Sequence, residues 1–254
     1  MQRTGLALKV SAWRTTAPLF PLYKTRHSRR DWRMAGPISV IIPTLDSARH
    51  LPRALAPLVD GMHEGLIREV IVSDGRSRDE TLDIADAAGC TLISGEPGRA
   101  KQLLNGVARA KGKWLLILHP QTALARGWTE EVALFLQFNE ARKRAATFKL
   151  AFDDKSAKGA LFWARLRAQV MKLPHGDQGL LISRFLYDGL SGYRDVPHED
   201  IDLARRIGGK RLVFLETEAV TSAETYRRSP SAAASVGMMA RYFLGADPVE
   251  MAKR

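Results

Sequence analysis

Two aspartates follow apolar segments whose composition is typical of buried strands. Asp46 comes shortly after residues 39–43, and Asp74 comes directly after residues 68–73. Because the carboxyl ends of parallel strands meet at one edge of a sheet, we expect both carboxylates to face one ligand there, with a nucleobase or a ribose hydroxyl as hydrogen-bond donor. For each aspartate alone, capping a helix or shaping a turn is an equal alternative.

A further acidic pair, Glu199 and Asp200, opens a segment with helical spacing at residues 199–207. Transfer of a group to a hydroxyl with inversion needs a carboxylate that takes the hydroxyl proton during attack, and this pair can supply it. Acidic residues in a first helical turn also complement the helix dipole without any chemistry, so that alternative stays open. Asp177 and Gln178 precede a short predicted strand and add another polar group.

Cationic and polar side chains mark two more loops. Arg99 and Lys101 lie at the predicted start of a helix, where free N–H groups and positive charge attract phosphate. A solvated basic turn is the alternative interpretation of this segment. His119 and Gln121 lie where the most apolar predicted strand ends, beside the two aspartate loops in the expected sheet.

The elements that must position these residues alternate between strand and helix through the first half of the chain. Such alternation predicts an α/β fold with a doubly wound, mostly parallel sheet, while the second half is more irregular. The predicted strands are residues 39–43, 68–73, 91–94, 114–119, 146–152, 179–182, 211–216 and 219–221. The predicted helices are residues 47–59, 78–88, 99–111, 128–138, 158–171, 199–207 and 231–243.

The loop after the first predicted strand excludes one class of protein. A dinucleotide-binding fold would carry Gly-x-Gly-x-x-Gly at this point, so that the backbone could cradle a pyrophosphate. This chain reads Pro-Thr-Leu-Asp-Ser-Ala from Pro43 onward. A sugar-activating nucleotidyltransferase would also carry a glycine-rich loop there, so the sequence argues against both.

The positive charge of the chain is unevenly distributed. Residues 1–33 contain eight Lys or Arg against one acid, so they carry +7 of the net charge of +12. We expect them to form a disordered basic extension, with Met34 as a natural start for the folded part. The remaining charge of the body suits an anionic ligand or an acidic membrane face. The sequence pI of about 10.1 raises the nucleic-acid-binding class, but we expect no nucleic-acid partner because the charge is concentrated in the extension.

The cysteine count and the apolar runs bear on the compartment. Cys90 is the only cysteine, so no intramolecular disulfide can form, as fits a reducing compartment. No run approaches the roughly 18 apolar residues of a membrane span. We therefore expect a cytoplasmic protein. The amphipathic segment 158–172 could touch an acidic membrane surface, and a packed surface helix is the alternative.

Taken in order, these segments resemble the family-2 glycosyltransferases of the GT-A fold, from Ile38 to Thr225. Ser-Val-Ile-Ile-Pro-Thr-Leu resembles the first strand, and Val-Ile-Val-Ser-Asp-Gly-Arg-Ser-Arg-Asp-Glu-Thr resembles the second strand and its nucleotide loop. Gly-Arg-Ala-Lys-Gln-Leu-Leu-Asn-Gly resembles the next helix, and Leu-Leu-Ile-Leu-His-Pro-Gln-Thr lies where the family has its acidic metal-binding motif. Gly-Asp-Gln and His-Glu-Asp-Ile-Asp-Leu resemble the acceptor and catalytic-base segments. A small bacterial subgroup labelled as arsenosugar-biosynthesis glycosyltransferases is similar in the same motifs.

The resemblance implies a role for each part of the chain. Residues 34–254 would form one GT-A domain, with a nucleotide-binding half at about 34–122, an acceptor half at 123–225 and a C-terminal helix at 226–254. Asp200, assisted by Glu199, would be the general base of an inverting displacement, and Asp177 and Gln178 would lie on the acceptor side. A divalent metal, Mn or Mg, would act as a Lewis acid on the leaving diphosphate. The residues implied to hold the nucleotide sugar are Pro43, Thr44, Asp46, Asp74, Arg76, Arg99, Lys101, His119 and Gln121.

Two departures from the family pattern concern the metal. Gln121 replaces the Asp that relatives use as a metal ligand, and an amide is a poorer ligand for a hard cation than a carboxylate. Arg76 replaces the second glycine of the nucleotide loop. One hypothesis is that Arg76, Arg99 and Lys101 stabilise the diphosphate in place of metal. The alternative is a nucleotide-sugar-binding protein with weakened or lost catalysis. The acceptor, lipid-linked or a small molecule, is left open.

Overall fold

The computed structural model describes residues 36–138, 141–154, 174 and 176–224. The predicted N-terminal extension and the predicted helices 158–171 and 231–243 lie outside these residues. The described strands are β1 Ile38–Thr44, β2 Ile67–Asp74, β3 Thr91–Ser94, β4 Trp114–Ile117, β5 Ala123–Leu124, β6 Ala145–Phe152, β7 Leu180–Ser183 and β8 Leu212–Thr221. The described α-helices are α1 Leu51–Leu55, α2 Leu58–His63, α3 Thr81–Ala87, α4 Arg99–Arg109, α5 Trp128–Gln137, α6 Arg184–Gly189 and α7 Glu199–Ile207. Single 3₁₀ turns occur at Ala141–Lys143 and Gly176–Gln178.

The strands form one sheet in the order β3-β2-β1-β4-β7-β6-β8-β5. The pairs β2–β3, β1–β2, β1–β4 and β6–β8 are parallel, whereas β7 runs antiparallel to both β4 and β6, and β5 runs antiparallel to β8. The prediction of an α/β fold with a mostly parallel sheet is therefore confirmed. The order reverses between β1 and β4, and in open α/β sheets the crevice at such a point is where ligands bind.

Strand β1 is an interior strand of this sheet, between β2 and β4, and all its residues are buried. Its alternate side chains enter two apolar clusters, because successive residues of a strand point to opposite faces. Ile38, Val40 and Ile42 pack with residues of α1, α2 and α5, and Ile41 packs against α4 on the other face. A Cβ at Gly106 of α4 would lie 2.5 Å from Cγ2 of Ile41. This glycine allows α4 to lie close against β1, which fixes the start of the helix near the end of that strand.

The predicted helix 47–59 is wrong, because the structure has two short helices, α1 and α2, in its place. The break falls at Pro57, which has no N–H to continue α1 and instead stands at the N-cap of α2. The carbonyl of Pro57 accepts a hydrogen bond from Nε1 of Trp128 at 3.0 Å. The break is therefore fixed in the core by α5.

The predicted strands 211–216 and 219–221 are wrong as separate elements, because they form one strand, β8. The pairing of β8 with β6 shifts register between Thr147 and Lys149. At this irregularity the carboxylate of Glu131 accepts hydrogen bonds from the backbone N–H groups of Glu216 and Thr217, each at 2.8 Å. A side chain of α5 thus satisfies backbone donors that have lost their regular partners.

None of the helices within residues 36–138, 141–154 and 176–224 combines the length and the apolar character that a membrane crossing requires.

Candidate active site

The loops after β1 and β2 are joined through the carboxylate of Asp74, which is fully buried. Its Oδ1 accepts hydrogen bonds from Oγ1 of Thr44 at 2.9 Å and from Oγ of Ser77 at 2.5 Å, and its Oδ2 accepts one from the backbone N–H of Ser77 at 2.8 Å. Pro43 is buried within β1 beside them. Asp74 therefore shapes the turn, and it could bind a ligand only by sharing or exchanging these donors.

Asp46 differs from Asp74 because it is exposed and has a left-handed backbone with a φ of 45°. Its N–H donates to Oγ of Ser77 at 2.9 Å, and its Oδ1 accepts from the N–H of Arg78 at 2.8 Å. Its Oδ2 accepts no hydrogen bond from any part of the chain that the structure describes. Of the two aspartates, Asp46 is the one that presents an available carboxylate oxygen at this edge.

Gln102 is a site residue that the sequence analysis missed. Its side chain is 4% exposed, and its Nε2 donates to the carbonyls of Thr44 and Ser73, the latter at 3.2 Å. A Cβ at Gly75 would lie 3.0 Å from the same nitrogen. One amide thus ties α4 to the ends of β1 and β2. The sign of this role that the sequence offered was a glutamine three positions after the start of the predicted helix.

Arg99, the first residue of α4, is directed towards the acidic start of α7. Its Nε lies 3.2 Å from Oε1 of Glu199, and its Nη1 lies 3.9 Å from Oδ2 of Asp200. A Cβ at Gly176 would lie 2.1 Å from Nη2 of Arg99, so any larger residue here would require the guanidinium to shift. Burial opposes the charged form, but the carboxylates of Asp200, Glu199 and Asp177 raise the pKa of Arg99 above its ordinary value.

The two acids at the start of α7 have different surroundings. Glu199 is 5% exposed, and burial raises its pKa above the ordinary value although Arg99 opposes the shift. Asp200 accepts hydrogen bonds on both oxygens: Oδ2 from the N–H of Gly176 and Oδ1 from the N–H of Ile201, each at 2.9 Å. Its side chain is also more exposed than that of Glu199, at 15% against 7%. Asp200 is thus an oriented carboxylate that solvent can reach.

The loop after β4 meets the Gly176–Gln178 turn. Nδ1 of His119 lies 3.6 Å from Oδ1 of Asp177, and Oγ1 of Thr122 donates to the carbonyl of Asp177 at 3.0 Å. The side chain of Gln178 is buried and donates to the carbonyl of Phe148 at 2.9 Å. The structure therefore brings His119 and Asp177 together, whereas Gln178 fastens the turn to β6.

The cations that were predicted to act together have different neighbours. Arg76 is exposed, has a φ of 69° and pairs with the exposed carboxylate of Glu96. Lys101 is exposed on the first turn of α4, and Arg99 is directed to the acids of α7. Joint contact with a diphosphate would require Arg76 to leave Glu96.

The residues present do not fit an ordinary site for a divalent cation. Within the described ranges, no group of three His, Cys, Asp or Glu side chains could hold a metal ion. His119 and Asp177 supply two donors, and Gln121 in the same loop is half-buried and adds only an amide. Hard cations such as Mg²⁺ prefer carboxylate oxygens, so Gln121 is a poor ligand at the position where the family resemblance implies a metal-binding Asp.

Comparison with known proteins identifies the family. Residues 39–196 match the family model described as glycosyl transferase family 2. Glucosyl-3-phosphoglycerate synthase from Mycobacterium tuberculosis, solved with Mn²⁺ and UDP-glucose, is 17% identical with a TM-score of 0.60, and the match covers 89% of this chain and 86% of that one.

Two other solved structures have the same fold. The mannosyltransferase PcManGT from Pyrobaculum calidifontis, solved with GDP-mannose and Mn²⁺, is 20% identical with a TM-score of 0.53 over 76% of this chain and 58% of that one. Residues 1–349 of S. aureus TarS are 16% identical with a TM-score of 0.55 over 73% and 60%. No curated protein sequence matches the chain. These similarities confirm the GT-A fold that the sequence motifs implied.

Proposed function

We propose a specific reaction for this chain, which belongs to glycosyl transferase family 2. It transfers a sugar from a nucleotide-sugar donor to an acceptor hydroxyl with inversion at the anomeric carbon, and Asp200 is the general base. The observation that carries this proposal is the orientation of Asp200 by two backbone N–H groups, at a point that solvent reaches. A base must be held in position before its pKa matters.

Asp200 suits the role of base better than its neighbour Glu199. Glu199 is buried, and its Oε1 faces Arg99 at 3.2 Å. A carboxylate in that position holds a cation rather than an incoming hydroxyl. We therefore assign Glu199 as the residue that positions Arg99, and Asp200 as the residue that touches the acceptor.

The donor lies in this proposal at the carboxyl ends of β1 and β2. The available oxygen of Asp46 would accept a hydrogen bond from the nucleoside, and Asp74 would hold the loop in shape. Residues of the loop after β4, among them His119, would lie against the sugar or the diphosphate. The support for this placement is the reversal of strand order between β1 and β4.

The bond changes balance without an external oxidant or reductant. The acceptor oxygen forms a bond to the anomeric carbon as its proton passes to a carboxylate oxygen of Asp200. The bond between that carbon and the diphosphate oxygen breaks, and its electron pair leaves with the nucleoside diphosphate. Arg99 lies beside Asp200, and with Lys101 it is the cation that we propose to oppose the developing charge on the diphosphate.

The test compares Asp200→Asn with the wild-type protein on a panel of nucleotide-sugar donors. Acceptors would include phosphoglyceric acid and glycerol 3-phosphate, which are bound in structures of the mycobacterial synthase. Transfer should fall by about a hundredfold or more in Asp200→Asn, while a donor still raises the thermal midpoint of the variant. Undiminished transfer would remove Asp200 from the mechanism.

Gln121 favours one second candidate, a protein that binds nucleotide sugars without turnover. The amide replaces the metal ligand of the relatives, and the described residues offer no substitute set. In that case a donor would raise the thermal midpoint of the wild-type protein, yet no donor would be consumed. Consumption that Asp200→Asn abolishes excludes this candidate.

A further inference from the structure

A cleft lies at the opposite end of β4 from His119. It has a volume of about 540 Å³, which is in the range of small-molecule sites. The end of α4, the start of β4 and the start of α6 form its walls. At about 3.3 Å per residue, the five steps between Trp114 and His119 span about 16 Å, so this cleft is separate from the candidate active site.

The wall of the cleft is strongly cationic. Four of its nine lining residues are Lys111, Lys113, Arg142 and Arg184, and none is acidic. Lys111, Lys113 and Arg142 are exposed. Glu69 lies at the rim, where its carboxylate accepts hydrogen bonds from Oγ of Ser39 and from the N–H of Lys111.

Two of the cations are held in place by the fold. One amino group of Arg184, Nη2, donates to the carbonyls of Val107 and Ala110 at the end of α4, at 3.1 and 2.6 Å. The guanidinium carbon of Arg142 lies 5.2 Å from the centre of the Phe185 ring. Arg184 is therefore held against the end of α4, and Arg142 lies against an aromatic ring of α6.

The cleft also has an apolar wall. Phe185 is 61% exposed although it stands in the first turn of α6, and Trp114 forms part of the lining. An exposed aromatic ring beside several cations suits a ligand that carries an anionic group on an apolar or aromatic body.

We propose that this cleft is a second ligand site, for a phosphate-bearing ligand that binds away from the donor. Lys111 and Lys113 contact the phosphate oxygens, Arg142 and Arg184 supply further positive charge, and Phe185 packs against the rest of the ligand. A soluble phosphate ester and the headgroup of an anionic lipid share this chemistry. The site rests on the shape and charge of the cleft and does not depend on the proposed reaction.

The test measures binding of two probes by isothermal titration to the full-length protein. The probes are inorganic pyrophosphate and vesicles of phosphatidylcholine containing phosphatidylglycerol. The variant Lys111→Ala/Lys113→Ala removes two charges from the cleft. The control variant, Arg126→Ala/Lys149→Ala, removes an exposed and a half-exposed charge outside the cleft. We expect the cleft variant to bind at least one probe about tenfold more weakly than the control variant does.

The pattern of losses identifies the source of the phosphate. A loss for pyrophosphate alone indicates a soluble ligand, and a loss for vesicles, deepened by Phe185→Ala, indicates a lipid headgroup. Equal weakening in the cleft variant and the control variant would mean that binding follows net charge alone, and it would overturn the site. Absence of binding to both probes by the wild-type protein would overturn it as well.

Discussion

The guanidinium of Arg99 lies over the backbone of Gly176, where a Cβ would come within 2.1 Å of Nη2 and within 3.0 Å of Oδ2 of Asp200. A side chain at this position would therefore displace the cation and the proposed base at once. The contact joins the start of α4 to the turn that precedes β7.

The substitution Gly176→Ala should lower kcat by about tenfold to a hundredfold, because small displacements of positioned groups have effects of this size. Donor binding, followed as the rise of the thermal midpoint with donor concentration, should change much less. Gly189→Ala is the control, since a Cβ there meets nothing within 4 Å. Wild-type kcat in Gly176→Ala would contradict the proposed role of this contact.

The substitution Gln102→Ala should reduce the free energy of unfolding by about 1–3 kcal/mol, because it leaves the buried carbonyls of Thr44 and Ser73 without their side-chain donor. Donor affinity should fall as well, since the amide fixes both donor loops. Urea unfolding measures the first effect and thermal shift the second. Gln137→Ala, at the exposed end of α5, is the matched control, and an equal loss in both variants would argue against a special role for Gln102.

The substitution Gln121→Asp introduces the carboxylate that the family resemblance implies at this position. We expect wild-type turnover to persist in a chelator, because the described residues assemble no ordinary divalent site. In Gln121→Asp, Mn²⁺ should raise turnover by about tenfold or more, because the change adds a carboxylate to the loop that carries His119, whose Nδ1 lies 3.6 Å from Asp177. Gln121→Asn, with no new charge, should not respond to Mn²⁺. Loss of wild-type turnover in the chelator would contradict the expectation.

The substitution Asp153→Asn should make the stability less dependent on pH. Burial raises the pKa of Asp153, but hydrogen bonds from the N–H of Ala223 and from Arg53, together with the charge of Arg53, lower it below its ordinary value. The folded state therefore holds this proton less tightly than the unfolded state does. The stabilisation is fully present above the ordinary pKa of 3.8 and is lost as the pH falls through the lower folded value.

At neutral pH the loss in Asp153→Asn should be at most about 1 kcal/mol, because the pair with Arg53 is partly exposed. The difference from wild type should shrink towards about pH 3. Thermal unfolding at both pH values checks this, with Asp86→Asn at an exposed position of α3 as the control. A difference that stays constant with pH would show that the hydrogen bonds, rather than the charge, stabilise the fold.

The periodicity of the sequence predicted many of the described strands and helices. The boundaries of β3 and α7 agree with the predicted ones, and β1, β2, β4 and α4 differ by one or two residues at their ends. The short elements α6 and β5 were missed, because a six-residue helix and a two-residue strand are too short for a periodic signal. The side chain of Ser183, which caps α6 by accepting the N–H of Leu186, was the local sign of that helix.

The sequence predicted which loops of the candidate site lie close together, but it did not predict which side chains contact each other. Parallel strands must end at one edge, so the closeness of the loops that carry Asp46 and Asp74 follows from the pattern. The sequence could not show that Ser77 donates hydrogen bonds to the carboxylate of Asp74. It also could not show that Arg99 is directed to Glu199 rather than to open solvent. Those contacts join residues whose distance depends on loop geometry, which periodicity does not determine.

The hydrogen bonds that join the loops after β1 and β2 have a thermodynamic consequence for the donor. Hydrogen bonds among Thr44, Asp74 and Ser77 hold these loops together as part of the fold. The conformational entropy of the loops is therefore lost during folding, before any donor arrives. A donor then meets a preorganised surface, so its association should be fast and its affinity should not be reduced by loop ordering.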